Sequence, residues 1–128
     1  MTVLLDTHVL IWAVLSRAKL TAAAAELIAD PTNTVLVSAA SAWELATKVR
    51  LGKFPDAEPF ENRFLEAVSE AGYTLLPIEA DAALRAGRLT ANHGDPFDRV
   101  IAAQALELDI PVISADRQLD VFGIRRIW

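Results

Sequence analysis

The chain has 128 residues, no cysteine and a formal net charge of −5, and 53% of its residues are apolar. This length and apolar content exclude intrinsic disorder, and we expect residues 1–128 to form a single domain. The lack of cysteine excludes a disulfide scaffold, thiolate metal sites and a cysteine nucleophile. The acidic balance argues against a protein that binds nucleic acid simply by being basic.

Short apolar runs alternate with helical patterns along the chain. In chain order, the sequence predicts a strand at Val3–Leu5, helices at Thr7–Leu15 and Thr21–Ala29, a strand at Thr34–Ser38, helices at Ser41–Leu51 and Pro59–Ala71, a strand at Tyr73–Leu76, a helix at Glu79–Leu89, a helix opened by Asp95 and Pro96, and strands at Pro111–Ser114 and Ile124–Trp128. This alternation indicates an α/β domain with a central parallel sheet that helices cover on both sides.

Local signals mark the ends of several helices. Thr21 is a predicted N-cap, and Gly52 occupies the place of a C-cap glycine. Ser41 and Glu44 have the spacing of a capping box. The clearest apolar stripe follows Pro96 and consists of Phe97, Val100, Ile101, Gln104, Ala105 and Leu108.

Targeting and membrane signals are absent from the sequence. Met1–Leu5 carries no basic residue, and no stretch of about 18 apolar residues is present. We therefore expect a cytoplasmic protein that does not span a membrane.

Five acidic residues fall near the carboxyl ends of predicted strands. Asp6 directly follows the first strand, and Asp116 lies two residues beyond the fourth. Glu44 lies in the first turn of the helix after the second strand, and Asp95 and Asp98 open the helix that leads to the fourth strand. Ligands of open parallel sheets bind at the carboxyl ends of the strands, so we expect these acids to share one edge.

Each of these acids also suits an ordinary structural role. The roles are helix N-caps, first-turn positions, a turn after a strand, and an i,i+4 ion pair between Glu44 and Lys48. They do not explain why all five acids share one edge. Without the five, 12 acidic residues remain against 12 basic ones, so the net charge equals the formal charge of the predicted cluster.

A cluster of carboxylates predicts a metal site. Neighbouring carboxylates repel one another and raise each other's pKa, and a divalent cation relieves this repulsion. Oxygen ligands without cysteine or paired histidine suit Mg²⁺ or Mn²⁺ rather than zinc. Such an ion activates water and stabilises a phosphate, so the predicted nucleophile is water rather than a side chain.

Four ordered segments resemble the motifs of PIN-domain ribonucleases, and most closely those of VapC-type toxins of bacterial toxin–antitoxin pairs. These segments are Leu4–Trp12, Ser38–Leu45, His93–Ala105 and Val112–Asp116. The resemblance extends from residue 3 to about residue 124. It implies a three-layer α/β/α PIN-like domain with a central parallel sheet. It also implies a Mg²⁺- or Mn²⁺-dependent endoribonuclease that inhibits growth by cutting RNA.

The resemblance assigns roles to the five acids. The catalytic acidic quartet of the family is matched by Asp6, Glu44, Asp98 and Asp116. Asp95 matches a further acid found in the subgroup with a D-P-F-D motif. By this resemblance Asp6 and Asp98 are the expected direct metal ligands, and the other two members of the quartet act through metal-bound waters or hold a second ion.

Four more residues are predicted to contact the cluster or the RNA substrate. Thr7 and Ser114 carry small hydroxyls next to strand ends, although Thr7 equally suits an N-cap. Lys48 and Arg99 lie close to acids in the sequence and suit phosphate contacts. A solvated helix face remains the alternative for Lys48, and an ion pair with an acid remains the alternative for Arg99.

The aromatic residues and the two histidines have structural interpretations. We expect Trp12, Trp43 and Phe97 to pack in the core. His8 is expected to pack or cap, and His93 to lie in an exposed loop, with support of the cluster as its alternative role. A ribonuclease that used the two histidines as acid and base would need no metal and would leave a 2′,3′-cyclic phosphate.

The resemblance to VapC-type toxins also implies protein partners. It implies a cognate antitoxin whose apolar helix binds a groove between the helices at about Thr21–Ala29 and Ser41–Phe64. A homodimer and a toxin–antitoxin hetero-oligomer are implied in the same way, in addition to the RNA substrate.

Three other classes of protein share part of this pattern. A catalytically silent PIN-fold binding module has the same architecture, but the intact quartet disfavours it. A receiver-type signalling domain has paired acids after its first strand and a lysine after a late strand, whereas here Asp6 stands alone and Ala115–Arg117 contains no lysine. A metal-dependent phosphatase needs a second acid two residues after the first, where this chain has His8.

Overall fold

A central sheet of five strands organises the chain in a computed structural model that describes residues 1–128. The strands are β1 (Thr2–Leu5), β2 (Thr34–Ser38), β3 (Thr74–Leu76), β4 (Val112–Ile113) and β5 (Arg126–Ile127). They lie in the order β3-β2-β1-β4-β5, and every neighbouring pair is parallel. The predicted parallel sheet is therefore confirmed.

Helices connect these strands. They are α1 (Thr7–Leu15), α2 (Ala22–Ala29), α3 (Ala39–Arg50), α4 (Glu58–Asn62), α5 (Phe64–Glu70), α6 (Ala80–Arg88) and α7 (Pro96–Leu108). Short 3₁₀ segments occur at Arg17–Lys19, Pro55–Ala57 and Arg117–Phe122. None of the helices combines the length and the apolar character that a membrane crossing requires.

The sheet has an apolar core on each face. Val3 and Leu5 of β1 contribute to one core together with α1, α2, α4 and α5, whereas Leu4 contributes to the other together with α7. Because successive side chains of a strand point to opposite faces, a wholly apolar strand such as β1 needs helices on both sides. The fold is therefore a three-layer α/β/α arrangement, as predicted.

The start of α3 differs from the prediction. The helix begins at Ala39, because Ser38 Oγ accepts a hydrogen bond at 3.0 Å from the amide two residues on and serves as the N-cap. The predicted capping box of Ser41 and Glu44 is therefore wrong, and Glu44 lies in the second turn rather than the first. Gly52 follows the helix with a φ of +74°, as expected for a glycine that ends a helix.

Two other helix predictions are wrong in part. The predicted helix at Pro59–Ala71 is divided at Arg63, whose backbone is not helical (φ −119°, ψ 28°). Phe60 and Phe64 on either side of this break still stack, with ring centroids 5.5 Å apart, and both reach the same core. The predicted apolar stripe of α7 is wrong at Leu108, which is 48% exposed. The last buried residue of this helix is Ala105.

The order of the strands determines where a ligand site lies. The chain passes outward from β1 through β2 to β3 and then returns to the other side of β1 for β4 and β5. In open parallel sheets, a reversal of this kind leaves a crevice at the carboxyl ends of the strands, where ligands bind. Leu5 is the register partner of both Val37 and Ile113, so β1, β2 and β4 end close to the same level.

Candidate functional site

Asp6 lies at this edge of the sheet, directly after β1. Its amide donates to Ile113 O at 3.1 Å, and the residue is only 5% exposed. Ser114 Oγ donates to Asp6 Oδ2 at 2.6 Å, whereas the Asp6 carboxylate makes no N-cap hydrogen bond to α1. Burial raises the pKa of Asp6. The Ser114 hydrogen bond and the charge of His8 oppose this rise, and the charge of Glu44 adds to it.

Glu44 has one paired and one unpaired carboxylate oxygen. The residue is 3% exposed, and Lys48 Nζ donates to Glu44 Oε2 at 2.6 Å. The other oxygen, Oε1, is buried and has no hydrogen-bond partner. A buried acceptor without a partner costs about 1–3 kcal/mol, and more when it is charged. A cation at Glu44 Oε1 would remove this cost.

Asp98 lies in the first turn of α7 and contacts a histidine. His93 Nε2 and Asp98 Oδ2 are 2.8 Å apart, and both side chains are largely buried. Burial raises the pKa of Asp98 to about 6. The His93 hydrogen bond opposes this rise, whereas three neighbouring negative charges add to it, those of Asp95, Asp6 and Glu44. Asp6, Glu44 and Asp98 thus act on one another electrostatically, and we call them the inner carboxylates.

Asp95 and Asp116, which we call the outer carboxylates, cap the backbone. Asp95 Oδ1 accepts hydrogen bonds from the amides of Phe97 and Asp98 at 2.9 and 3.2 Å and is the N-cap of α7. Asp116 Oδ1 accepts a hydrogen bond from the Gln118 amide at 2.9 Å and begins the last 3₁₀ segment. Both outer carboxylates therefore have the structural roles that their sequence positions suit.

The two predicted hydroxyl groups are fully buried. Thr7 Oγ1 lies 2.9 Å from Ser41 Oγ and joins the start of α1 to α3. Ser114 Oγ donates to Asp6 and accepts a hydrogen bond from the Asp116 amide at 3.0 Å. Both Thr7 and Ser114 are 0% exposed, so neither hydroxyl is open to a substrate, whereas the predicted contact with the acidic cluster is confirmed for Ser114. Ser114 supports the carboxylates, and Thr7 holds two helices together.

The two predicted phosphate-binding residues have partners within the chain. The Arg99 guanidinium donates to four backbone carbonyls, that of Ala86 in α6 and those of Leu89, Ala91 and His93 in the segment between α6 and α7. This corrects the predicted role of Arg99, whose donors hold the loop that carries His93.

Lys48 pairs with Glu44 at the i,i+4 spacing. Burial acts to lower the pKa of Lys48, but the hydrogen bond and charge of Glu44 and further negative charges raise it.

Two features of the site depart from the sequence interpretation. His93 was expected in an exposed loop, with support of the cluster as its alternative role; its side chain is 16% exposed and contacts Asp98, which agrees with the alternative. Its five-residue spacing from Asp98 is the only sequence signal for this contact. Trp43 was expected in the core, but it is 54% exposed and packs against Phe97. No periodic pattern indicates this exposure.

A groove with both apolar and charged lining residues lies beside α1 and only partly matches the predicted one. Its volume is about 550 Å³, and it is lined by α1 and by the segments 16–19 and 53–57. His8 packs between Trp12 and Phe54 in this groove, at ring-centroid distances of 6.0 and 5.5 Å. No residue of α2 lines this groove, and α2 buries Ala24 and Ile28 in the core, so a groove with α2 as one wall stays a prediction.

The donor chemistry of the inner carboxylates fits a hard divalent cation. Oxygen donors without sulfur suit Mg²⁺ or Mn²⁺. A cation would satisfy the unpartnered Glu44 Oε1 and would offset the burial that raises the pKa of Asp6 and Asp98. No group of three or more His, Cys, Asp or Glu side chains is already arranged around one point to hold an ion. The fit is therefore one of chemistry and charge.

Comparison with known families decides to which one this fold belongs. The family model for the PIN domain matches residues 3–124. The chain belongs to the PIN domain family. Over 53 residues it is 39% identical to Ribonuclease VapC16 of Mycobacterium tuberculosis, and this match covers 41% of the chain and 38% of the length of that relative.

Solved structures share this PIN fold over nearly the whole chain. VapBC2 from Rickettsia felis, bound to a DNA fragment from its promoter, aligns with a TM-score of 0.69 and 15% identity, covering 99% of this chain and 98% of that one. VapC20 of Mycobacterium tuberculosis, a sarcin-ricin loop cleaving toxin, aligns with a TM-score of 0.60 and 18% identity, covering 95% of each chain. Identities this low show the fold alone.

Proposed function

We propose that this PIN domain protein is a VapC-type endoribonuclease toxin that hydrolyses RNA with Mg²⁺ or Mn²⁺. The observation that carries the proposal is a set of three mostly buried carboxylates beside the reversal of the sheet, one of which has an unpartnered oxygen. Such a set is unfavourable without a cation. The 39% identity to Ribonuclease VapC16 over part of the chain supports the choice of a nuclease.

The inner carboxylates are the residues we propose to hold the ion, and the outer carboxylates act through water or a second ion. A bound ion supplies a more acidic water molecule and neutralises charge on a phosphate. The chain itself keeps the ligands in position. Ser114 orients Asp6 through a hydrogen bond, and His93 does the same for Asp98.

A catalytically silent PIN-fold binding module is the second candidate, and one observation favours it. Each inner carboxylate already has a side-chain partner, and no three acidic or histidine side chains surround a common point. However, burial still raises the pKa of Asp6 and Asp98 in spite of these partners. Because their charge is not fully compensated, we favour the metal-dependent enzyme.

The test of the enzyme is RNA cleavage by the purified chain with Mg²⁺, with Mn²⁺ and with EDTA. We expect cleavage only with metal, a large loss in Asp98→Asn, and products with 5′-phosphate and 3′-OH ends, because water attacks. Asp109→Asn is a matched control, since the Asp109 side chain is 97% exposed and its φ of 52° suits Asn. Equal cleavage in EDTA would contradict the proposal, and 2′,3′-cyclic phosphate ends would favour a histidine mechanism.

We also propose a cognate antitoxin as partner, with an apolar helix that binds the groove beside α1. The groove offers Ile11, Trp12 and Phe54 as apolar contacts, and the similarity of fold to VapBC2 supports this assembly. The test is co-purification of the product of an adjoining small reading frame. We expect Ile11→Asp to reduce it and Leu84→Asp, at a 52% exposed position on α6, to leave it unchanged. The homodimer and the cytoplasmic location remain predictions.

A further inference from the structure

Among the Trp, Tyr and Phe residues, Trp43 is the one with an exposed side chain. It is 54% exposed, whereas the Phe and Tyr residues and the other two Trp residues are buried or half-buried. An exposed indole gives up the free energy that burial of a large apolar surface provides. The exposure therefore indicates a surface that is available to a ligand.

The Trp43 ring is fixed by a contact between α3 and the start of α7. It packs against Phe97, with 4.5 Å between ring centroids and 72° between ring planes. Trp43 immediately precedes Glu44 on α3, and Phe97 immediately precedes Asp98 on α7. Two helices that pack together thus fix the indole, and the next residue on each helix is one of the proposed metal ligands.

The surroundings of Trp43 suit a nucleic acid better than an apolar helix. Its neighbours on the same face of α3 are Ala46, Thr47 and Arg50, which are small, polar or basic and at least partly exposed. Trp43 does not line the groove beside α1. An amphipathic helix needs a continuous apolar stripe, whereas a nucleobase needs one flat aromatic face and a nearby cation for its phosphate.

We infer that Trp43 stacks on an unpaired base of the RNA next to the phosphodiester that is cut, and that Arg50 contacts the backbone of the same strand. This inference rests on the proposed nuclease function and names a further binding subsite for it. A base must leave its pairing partner to stack on a protein ring, so single-stranded RNA is the preferred substrate over a duplex. Stacking fixes the position of the strand and tolerates any base.

The direct test measures stacking in the Asp98→Asn background, in which the RNA is expected to stay intact. Short single-stranded RNAs carry 2-aminopurine at one position at a time, and its fluorescence reports stacking. We expect a fluorescence change at one position, lost with Trp43→Leu and retained with Trp43→Phe. Leu65→Ala, at a 67% exposed apolar position on α5, is the matched control and leaves the signal unchanged.

A kinetic test uses the protein with Asp98 intact. Trp43→Leu raises KM for single-stranded RNA roughly tenfold with little change in kcat, because loss of one stacked base weakens binding by about this factor. Trp43→Phe stays close to the wild type, and cleavage of a duplex does not respond to either change.

Several outcomes would overturn the inference. They are an unchanged 2-aminopurine signal in Trp43→Leu, a fall in kcat alone, and no binding of RNA at all. Loss of a co-purifying protein in Trp43→Leu with RNA affinity intact would assign the surface to that protein instead. Stacking at Trp43 without metal-dependent cleavage would support the base-stacking site but refute the nuclease and the position of that site next to a cut phosphodiester. Metal-dependent cleavage with the same KM in Trp43→Leu as in the wild type would support the nuclease and refute the stacking site.

Discussion

The inner and outer carboxylates have the same chemistry but different surroundings. The outer pair accepts hydrogen bonds from backbone amides two or three residues further along the chain. The inner group instead contacts side chains, and the donor to Asp6 is Ser114, 108 residues away in the sequence. Local backbone geometry therefore accounts for the outer acids, whereas the assembled sheet is needed to account for Asp6.

This difference separates acids that stabilise the folded protein from acids that destabilise it. A carboxylate at a helix N-cap satisfies free amides and interacts favourably with the helix dipole. Burial of Asp6 and Asp98 has the opposite effect, because it raises the pKa of both and disfavours their charge. Perturbed acids of this kind in a crevice are candidates for function. The inner group, rather than the full set of five, therefore forms the centre of the proposed site.

The largest expected effect comes from removing one carboxylate charge at a time. This comparison of Asp→Asn variants tests whether the inner and outer carboxylates differ in function. Asp6→Asn and Asp98→Asn lower kcat/KM for RNA about 1000-fold or more, because each removes a proposed ligand worth several kcal/mol. Asp95→Asn and Asp116→Asn lower kcat/KM about 10- to 100-fold, since Asn still accepts the capping hydrogen bonds and neither outer carboxylate is a proposed direct ligand. Equal losses in all four variants would abolish the distinction.

The loop that carries His93 provides a test of stability. Arg99→Met removes the donors to four backbone carbonyls, and we expect the free energy of unfolding in urea to fall by about 2–4 kcal/mol. Arg125→Met is the control, because the Arg125 side chain is 64% exposed and its loss costs less than about 0.5 kcal/mol. A fall in Arg99→Met no larger than in the control would mean that the loop does not depend on Arg99.

The pH dependence of the free energy of unfolding, measured in EDTA, tests the raised pKa of Asp98. Its pKa is about 6 in the folded protein against an ordinary value of 3.8, so the folded state binds this proton more tightly than the unfolded chain. The free energy of unfolding therefore falls as the pH rises from about 4 to about 7.

Asp98→Asn lacks this contribution, so we expect its stability relative to the wild type to increase over the same pH range and then to level off. Asp109→Asn, at an exposed position, should follow the wild type throughout. Urea unfolding at a series of pH values measures both variants. A curve for Asp98→Asn parallel to that of the wild type would refute the raised pKa.

The smallest effect is expected at the hydroxyl that supports Asp6. Ser114→Ala removes a hydrogen bond that holds the pKa of Asp6 down, so this pKa rises further and the acidic limb of the pH–rate profile moves to higher pH. We expect cleavage at neutral pH to fall about tenfold. Ser41→Ala is the matched control, because Ser41 is equally buried but contacts Thr7. An identical pH–rate profile in both variants would contradict this role.

The sheet and its edge could be predicted because their signals are local. Strands such as β1 and β2 are uninterrupted apolar runs, and Asp6 and Asp116 follow their strands directly or at short distance. The cap of α7 by Asp95 follows from the Asp-Pro pair alone. The start of α3 was less determined, since Ser38 and Ser41 both suit an N-cap. The end of β2 at Ser38 decides between them.

The predictions that were wrong concern residues whose contacts depend on the tertiary structure, which no local sequence pattern indicates. The partners of Arg99 depend on the path of the loop before α7, which has no periodicity, so carbonyl and phosphate partners were equally compatible with the sequence. Trp43 was expected in the core because apolar residues are buried on average, a rule that leaves individual exceptions. Thr7 was placed near substrate by its position after Asp6, but α3 covers it through Ser41.

The central claim, that the inner carboxylates together bind a divalent ion, is tested most directly by thermal unfolding with Mn²⁺ and without RNA. An ion at about 100 times its Kd stabilises the folded state by about 2.7 kcal/mol. For a domain of this size, that corresponds to a rise in Tm of roughly 10 °C. We expect this rise in the wild type and in Asp109→Asn, and little or none in Asp98→Asn. A wild-type Tm that does not respond to Mn²⁺, or an equal rise in Asp98→Asn, would contradict the claim.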